Sequence, residues 1–475
     1  MTNKLIRSLA PLTASLLLGG CSLMPIYERP ISPTPEAWPH TTTQSSTDQH
    51  AISAANLEWR EYFSDTTLKQ LIGIALTNNR DLRIAVLNIE QARAQLGIRR
   101  ADQLPTINAA ASGARAPNSS GGTSTSYSAG LLVTAYELDF FGRVASLKEQ
   151  ALAQYLATEE GRQTVQTSLI ATVAQSWIGL LADEELLAIT RQALSSREES
   201  LKLVALRLQY GAASALDESL AKSLFESTRV TLAQQQRQRA QEENALVLLL
   251  GQSLPETLRS SLENGSLSQV QLPELASGLP SDLLFQRPDI RQAEQLLIAS
   301  NANIGAARAA FFPRISLTAG AGSASSDLGA LFSNGSWGVT LAPQLIFPIL
   351  DAGRNQAGLE SAQTGRKIAV AQYEKAIQIA FREVADALAG RETLNQQLHA
   401  QQAQLEAENT RAQLINLRLQ NGAASQLDWL DAQRTLFGAQ QAMVQARLTY
   451  LQNQIALYKA LGGGAVVDAS LTAVK

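Results

Sequence analysis

Residues 207–217 read RLQYGAASALD, and residues 418–428 read RLQNGAASQLD. Nine of the eleven letters agree, and the copies stand 211 residues apart. Strong helix formers flank both copies, and Gly-Ala-Ala-Ser interrupts each one. Such a break between two helical runs predicts the tip of a helical hairpin. The chain therefore contains two such tips, at Gly211, Ala212, Ala213 and Ser214 and at Gly422, Ala423, Ala424 and Ser425.

The repeat extends outward from the tips. Asp81-Leu82-Arg83 matches Asp289-Ile290-Arg291, and Gly97, Arg100, Ala101 and Pro105 match Gly305, Arg308, Ala309 and Pro313, all at an offset of 208. Gly142-Arg143 matches Gly353-Arg354, and Gly251 matches Gly462, at an offset of 211. The second copy thus gains three residues after Pro313, and an exposed loop is the place expected for them. Each copy predicts a first helix, over about 66–102 or 282–311, closed by Leu104-Pro105 or Phe312-Pro313, because a proline pushes the residue before it out of helical geometry. A long helix of roughly 95 Å then runs from Gly142-Arg143 to the Gly211 break. A shorter one stops at Leu250-Gly251. Val165, Leu169, Val173, Trp177 and Leu181, spaced by four, predict helix-on-helix packing along the long helix.

Between the helices lie segments of period two. Ile315, Leu317, Ala319 and Ala321 alternate with Ser316, Thr318 and Gly320, and Trp337, Val339, Leu341 and Leu345 with Gly338, Thr340 and Gln344. The first copy does the same more weakly with Ile107, Ala109 and Ala111 and with Tyr127, Ala129, Leu131 and Val133. Alternation over about ten residues fits an outer-membrane barrel strand, although a sheet packed on a soluble core has the same period. Four strands fall short of the ~8 of the smallest barrels, and an open sheet in lipid leaves its edge groups unpaired. If these strands lie in a membrane, copies of the chain must share one barrel, and three copies give twelve strands.

The 475 residues carry a net charge of −3, which offers no electrostatic case for nucleic acid. Three histidines, at 40, 50 and 399, and one cysteine leave no metal cluster or disulfide framework, and no nucleophile–base pair or phosphate loop points to an enzyme. Residues 1–20 have a basic start, an apolar core from Leu9 to Leu18 and small residues before Cys21, which predicts a signal peptide. Leu18-Gly19-Gly20-Cys21 resembles a bacterial lipobox, so a covalent lipid on Cys21 is expected and no other cofactor is. The predicted order is a signal over 1–20, an extended Pro-rich segment over 21–60, a first repeat over 61–251 (strands about 105–137), a linker over 252–281, a second repeat over 282–462 (strands about 313–347) and a tail over 463–475. No apolar run after the signal reaches the ~20 residues of a helical span.

Lipobox, doubled helix–strand–strand–helix unit, RLxxGAASxLD tips and the Tyr-Lys-Ala-Leu-Gly-Gly-Gly sequence of 458–464 together resemble the TolC-type outer-membrane factors, in the lipoprotein branch that serves resistance-nodulation-division drug efflux pumps. The resemblance implies a mainly α fold with a membrane β-barrel portion. Three copies would share a twelve-stranded barrel, continued by a periplasmic α-barrel of long coiled-coil helices and girdled by a belt from the N-terminus, linker and tail. It implies a homotrimer, a periplasmic adaptor protein and a proton-driven inner-membrane pump as partners, with outer-membrane lipid around the barrel. It also implies a periplasmic gate at Asp428 and Asp431, a weaker one at Asp217 and Glu218, and adaptor contact at both Gly-Ala-Ala-Ser tips. Six carboxylates around one axis would attract cations and raise some of their pKa values. The family's latch arginine and its tyrosine partner are here Ala424 and Leu419, so other contacts, with Arg207 and Arg418 as candidates, must hold the tip. A duct for type I protein secretion and a soluble periplasmic coiled-coil lipoprotein are the alternatives.

Overall fold

The structure, a computed structural model, describes residues 22–35, 38, 57–117, 119, 121–263, 265–275 and 285–463. Cys21, the signal, the tail beyond 463 and residues 276–284 of the linker region lie outside the described residues. The helices are α1 (Trp59–Tyr62), α2 (Thr66–Asn78), α3 (Arg80–Ala101), α4 (Arg143–Gln209), α5 (Ala215–Leu250), α6 (Glu256–Glu263), α7 (Pro288–Ala309), α8 (Arg354–Gln420) and α9 (Gln426–Ala460). The strands are β1 (Ile107–Pro117), β2 (Thr123–Leu138), β3 (Arg314–Ser325) and β4 (Trp337–Ile346). Each repeat is thus helix, strand, strand, long helix, tip and closing helix. Both long helices have 67 residues, ~100 Å at 1.5 Å per residue. The described residues fall into two compact units, one from within 1–32, 87–160 and 291–375, the other from within 33–86, 161–290 and 376–475.

The first unit holds the sheet, antiparallel throughout in the order β1-β2-β3-β4. Its register puts Ile107, Ala109 and Ala111 of β1 on one face with Leu131 and Val133 of β2, Ile315, Leu317, Ala319 and Ala321 of β3, and Val339, Leu341 and Leu345 of β4. The opposite face is small and polar, with Ser112, Ser128, Gly130, Gly320, Gly322, Gly338 and Thr340. The register shifts between Val133 and Tyr136 of β2, where Ala135 has a φ of +50° and donates its N–H to Thr318 Oγ1 at 3.2 Å. One extra residue reverses the parity. Tyr136 and Leu138 therefore rejoin the apolar face opposite Leu317 and Ile315. At Gly130 and Gly322, paired across β2 and β3, a Cβ would come within 2.5 Å and 2.4 Å of the facing carbonyl oxygen, so only glycine allows this approach. Prolines stand only in the outer strands, Pro117 and Pro343, where a missing N–H can be tolerated. The β3–β4 connection (326–336) is longer than the β1–β2 turn (118–122), in keeping with the insertion that the offsets place in this interval.

In the same unit the segment after Cys21 runs along α7. Arg308 donates to Leu23 O at 3.2 Å, Asn301 to Pro25 O at 2.7 Å, and Tyr27 and Arg29 both donate to Glu294. Residues 22–35 form no helix or strand.

The second unit holds the tips and the main core. Leu169, Val173, Trp177 and Leu181 are buried as predicted, Val165 is half-buried, and Ile170, Ala174 and Ile178 are buried on other sides of the same helix. This part of α4 has the length and apolarity of a membrane span, but most of it is covered by protein. Tyr62 stacks on Tyr458 with centroids 4.0 Å apart, and Trp177 donates its indole N–H to Asp65 at 2.9 Å. Leu258 and Leu262 of α6 and Leu267 of a short 3-10 turn, all in the linker region, are buried.

The predicted continuous helix over 66–102 is corrected. It breaks at Asn79 (ψ 133°), whose Oδ1 accepts from Leu82 N and whose Nδ2 donates to Leu249 O at 2.9 Å. In the second copy the helix begins only at Pro288, with proline at its first position. Arg287, the counterpart of Asn79, donates to Ala460 O at 2.8 Å, and Ala460 is the counterpart of Leu249. The start of each repeat's first helix thus caps the end of its closing helix, a long-range contact that local propensity does not reveal.

Candidate gate at the hairpin tips

The glycine, the alanine after it, the serine and the aspartate of the repeated motif each do local work. Gly211 and Gly422 take φ values of +75° and +71°, a left-handed geometry that favours glycine. Ala212 N then donates back to Arg207 O, and Ala423 N to Arg418 O, both at 2.8 Å, which closes α4 and α8 with the same cap. Ser214 and Ser425 start the next helices. Ser214 Oγ accepts from Asp217 N, while Asp217 accepts from Ser214 N, and Ser425 with Asp428 repeats the box at 2.9 Å and 3.1 Å. The motif is thus a C-cap joined to a capping box.

The structure brings Asp428 and Asp431 to the first turns of α9, as expected, but not as two free carboxylates. Asp428 is exposed and also accepts from Ser425 Oγ at 2.7 Å, and these hydrogen bonds hold its pKa below the ordinary value. Asp431 accepts from Arg411 Nη2 at 2.6 Å and Arg434 Nη2 at 2.7 Å, and the two guanidiniums lower its pKa as well. Within one chain each carboxylate finds donors in its own hairpin, and this lowers both values. The Asp431 network continues through Arg411 to Glu408 (3.1 Å) and Thr435 (3.0 Å). It belongs to the second repeat alone, since the counterparts of Asp431, Arg411 and Arg434 are Leu220, Ser200 and Ser223. Asp217 is held low by Ser214 in the same way as Asp428, and Glu218 follows it in the first turn of α5.

Contacts absent from the sequence reading join the two tips. Val204, Ala221 and Leu430 form a buried cluster extended by Leu201, Ala213 and Leu224. Arg207 reaches Gln426 Oε1 at 3.4 Å, and Gln433 donates to Ser196 Oγ at 3.1 Å. Arg207 is therefore a tip contact, while Arg418 acts on Asp428 through charge. No local pattern joins Val204 to Leu430. The Ser-x-x-Asp spacing, in contrast, is a legible capping signal, and it marks Asp217 and Asp428 as structural residues. No group of three or more metal-ligating side chains occurs among the described residues.

The sequence profile described as outer membrane efflux protein matches residues 71–252 and 279–463. The chain is 47% identical over 471 residues to the antibiotic efflux pump outer membrane protein ArpC of Pseudomonas putida, covering 98% of this chain and 96% of that one. It is 43% identical over 462 residues to the cation efflux system protein CusC of Escherichia coli, covering 96% and 99%. The open state of the Neisseria gonorrhoeae MtrE outer membrane channel is similar in structure, with a TM-score of 0.85 and 40% identity over 94% of this chain and 99% of that one.

Proposed function

This chain belongs to the outer membrane efflux protein family, and from that premise we propose that it works as a passive exit duct gated at its paired tips. It is an outer-membrane channel component of an efflux system, which sets aside the soluble coiled-coil alternative. The observation that carries the duct reading is the sheet. One face is apolar, the other small and polar, and β1 and β4 are each paired on one side only among the described residues. In lipid the free edges must find partners. Three copies would close twelve strands, apolar side to the outer-membrane lipid and polar side to the lumen.

In this reading Cys21 carries a lipid that seats the strap over 22–35. A periplasmic adaptor meets Gly211–Ser214 and Gly422–Ser425, and a proton-driven inner-membrane pump supplies the cargo. Small amphiphilic drugs are the cargo class, by analogy with the antibiotic pump named for ArpC. Asp428 and Asp431 form the narrow point, with Asp217 and Glu218 in support, and no cofactor takes part. Deletion of the gene should raise susceptibility to several unrelated amphiphilic drugs. The purified protein should conduct in planar bilayers, and Asp428→Ala with Asp431→Ala should raise conductance or reduce cation preference. Unchanged currents in the double variant would remove the gate from these two residues. Unaltered drug susceptibility on deletion would remove the drug cargo.

A further inference from the structure

One buried charge near the tips has no counter-charge. Arg197 of α4 is 4% exposed, and its contacts among the described residues, with Thr228, Leu224 and Phe437, are all neutral. Its Nη1 donates to Thr228 Oγ1 and, at 3.5 Å, to Leu224 O, both on α5. Its Nη2 is sealed from solvent and has no acceptor. On α9 the Phe437 ring lies 4.6 Å from the guanidinium carbon. Burial lowers the pKa only to about 10, so the group stays a cation at neutral pH. Its counterpart in the second repeat is Glu408, which has Arg411 and Thr435 as partners.

A dry, unpaired guanidinium is unfavourable, and an aromatic face compensates for lost water only in part. On α9 the Phe437 ring supplies such a face. Separation of α9 from the α4–α5 hairpin would take Phe437 off the guanidinium and open that side of it to water. Hydration therefore favours the separated tips, while Val204, Ala221, Leu430, Arg207–Gln426 and Gln433–Ser196 favour the packed ones. We propose that Arg197 is a positioning residue that biases the gate toward opening, with Phe437 as the cover whose departure hydrates it. This rests on the reading of the tips as a gate.

The test uses the full-length protein in planar bilayers and in cells. Arg197→Met keeps the volume and removes the charge. It should lower open probability roughly tenfold, raise drug susceptibility toward that of the deletion strain, and leave the assembled protein at least as heat-resistant as the parent. Arg197→Lys, which keeps a cation, should restore conduction. Phe437→Ala should shift the balance the other way and admit a bulky hydrophilic antibiotic that the parent excludes. If Arg197→Met conducts like the parent, the proposal is overturned. It is overturned equally if the variant only loses heat resistance, since that marks a packing residue. If the parent protein itself does not conduct, the duct reading fails first, and the two failures are thereby distinguished.

Discussion

Asp428 serves its own helix before it can serve a channel. Its carboxylate completes the capping box with Ser425, so replacing it changes shape as well as charge. Ser425→Ala separates the two effects, because it removes the cap hydroxyl and keeps the carboxylate. It should cost about 1 kcal/mol of stability, read as a lower melting midpoint, and leave the cation preference intact. Asp428→Asn should reduce that preference, measured as reversal potential in a salt gradient; equal effects from both variants would assign the selectivity to helix shape. The pH dependence follows from the direction of the shifts. Asp428 and Asp431 are both held below the ordinary aspartate value of 3.8, so their contribution is present above it and is lost as pH falls through the still lower folded value. Conductance and selectivity should therefore stay flat between about pH 8 and pH 5. A midpoint near neutrality would mean that carboxylates of neighbouring chains crowd each other.

Among the elements, the α4–α5 pair carries a second internal cost besides Arg197. Asp183 of α4 is pushed up to about 6 by burial first and then by Glu242 and Glu184, with Arg239 acting in the opposite sense. Its Oδ2 is buried without a partner. A raised aspartate value means that ionisation opposes folding. The cost is fullest above about pH 6 and is relieved as pH falls from there toward 3.8. Asp183→Asn should thus stabilise the protein by about 1–3 kcal/mol at pH 8, and the gain should shrink in acid, as thermal melts at a series of pH values can establish. In the sheet, Gly130→Val would drive a side chain into the backbone of β3, while Gly338 has open space around its Cβ position. Gly130→Val should abolish the heat-modifiable oligomer on gels, and Gly338→Ala should retain it.

For the whole molecule, the outer edges of β1 and β4 are unpaired among the described residues, and in lipid such edges need partners. Cross-linking of the detergent-extracted protein should give a three-chain species as the largest product; a different limiting size would refute the twelve-strand barrel. Much of this plan is written in local chemistry. Gly-Ala-Ala-Ser between helix formers suffices for the tips, proline after Leu104 and Phe312 ends the first helices, and alternation from Ile315 to Ala321 places one face of β3, since each signal acts within a few residues. Tertiary packing decided the rest. The break at Asn79 needs Leu249, 170 residues away, and the bulge at Ala135 needs Thr318 across the sheet. Within one chain Asp428 is satisfied by Ser425 and Asp431 by Arg411 and Arg434, and the tips are held by Val204 against Leu430. Backbone propensity and side-chain period are properties of neighbours in the chain. Caps, charge partners and a buried arginine such as Arg197 depend on which distant helix arrives beside them.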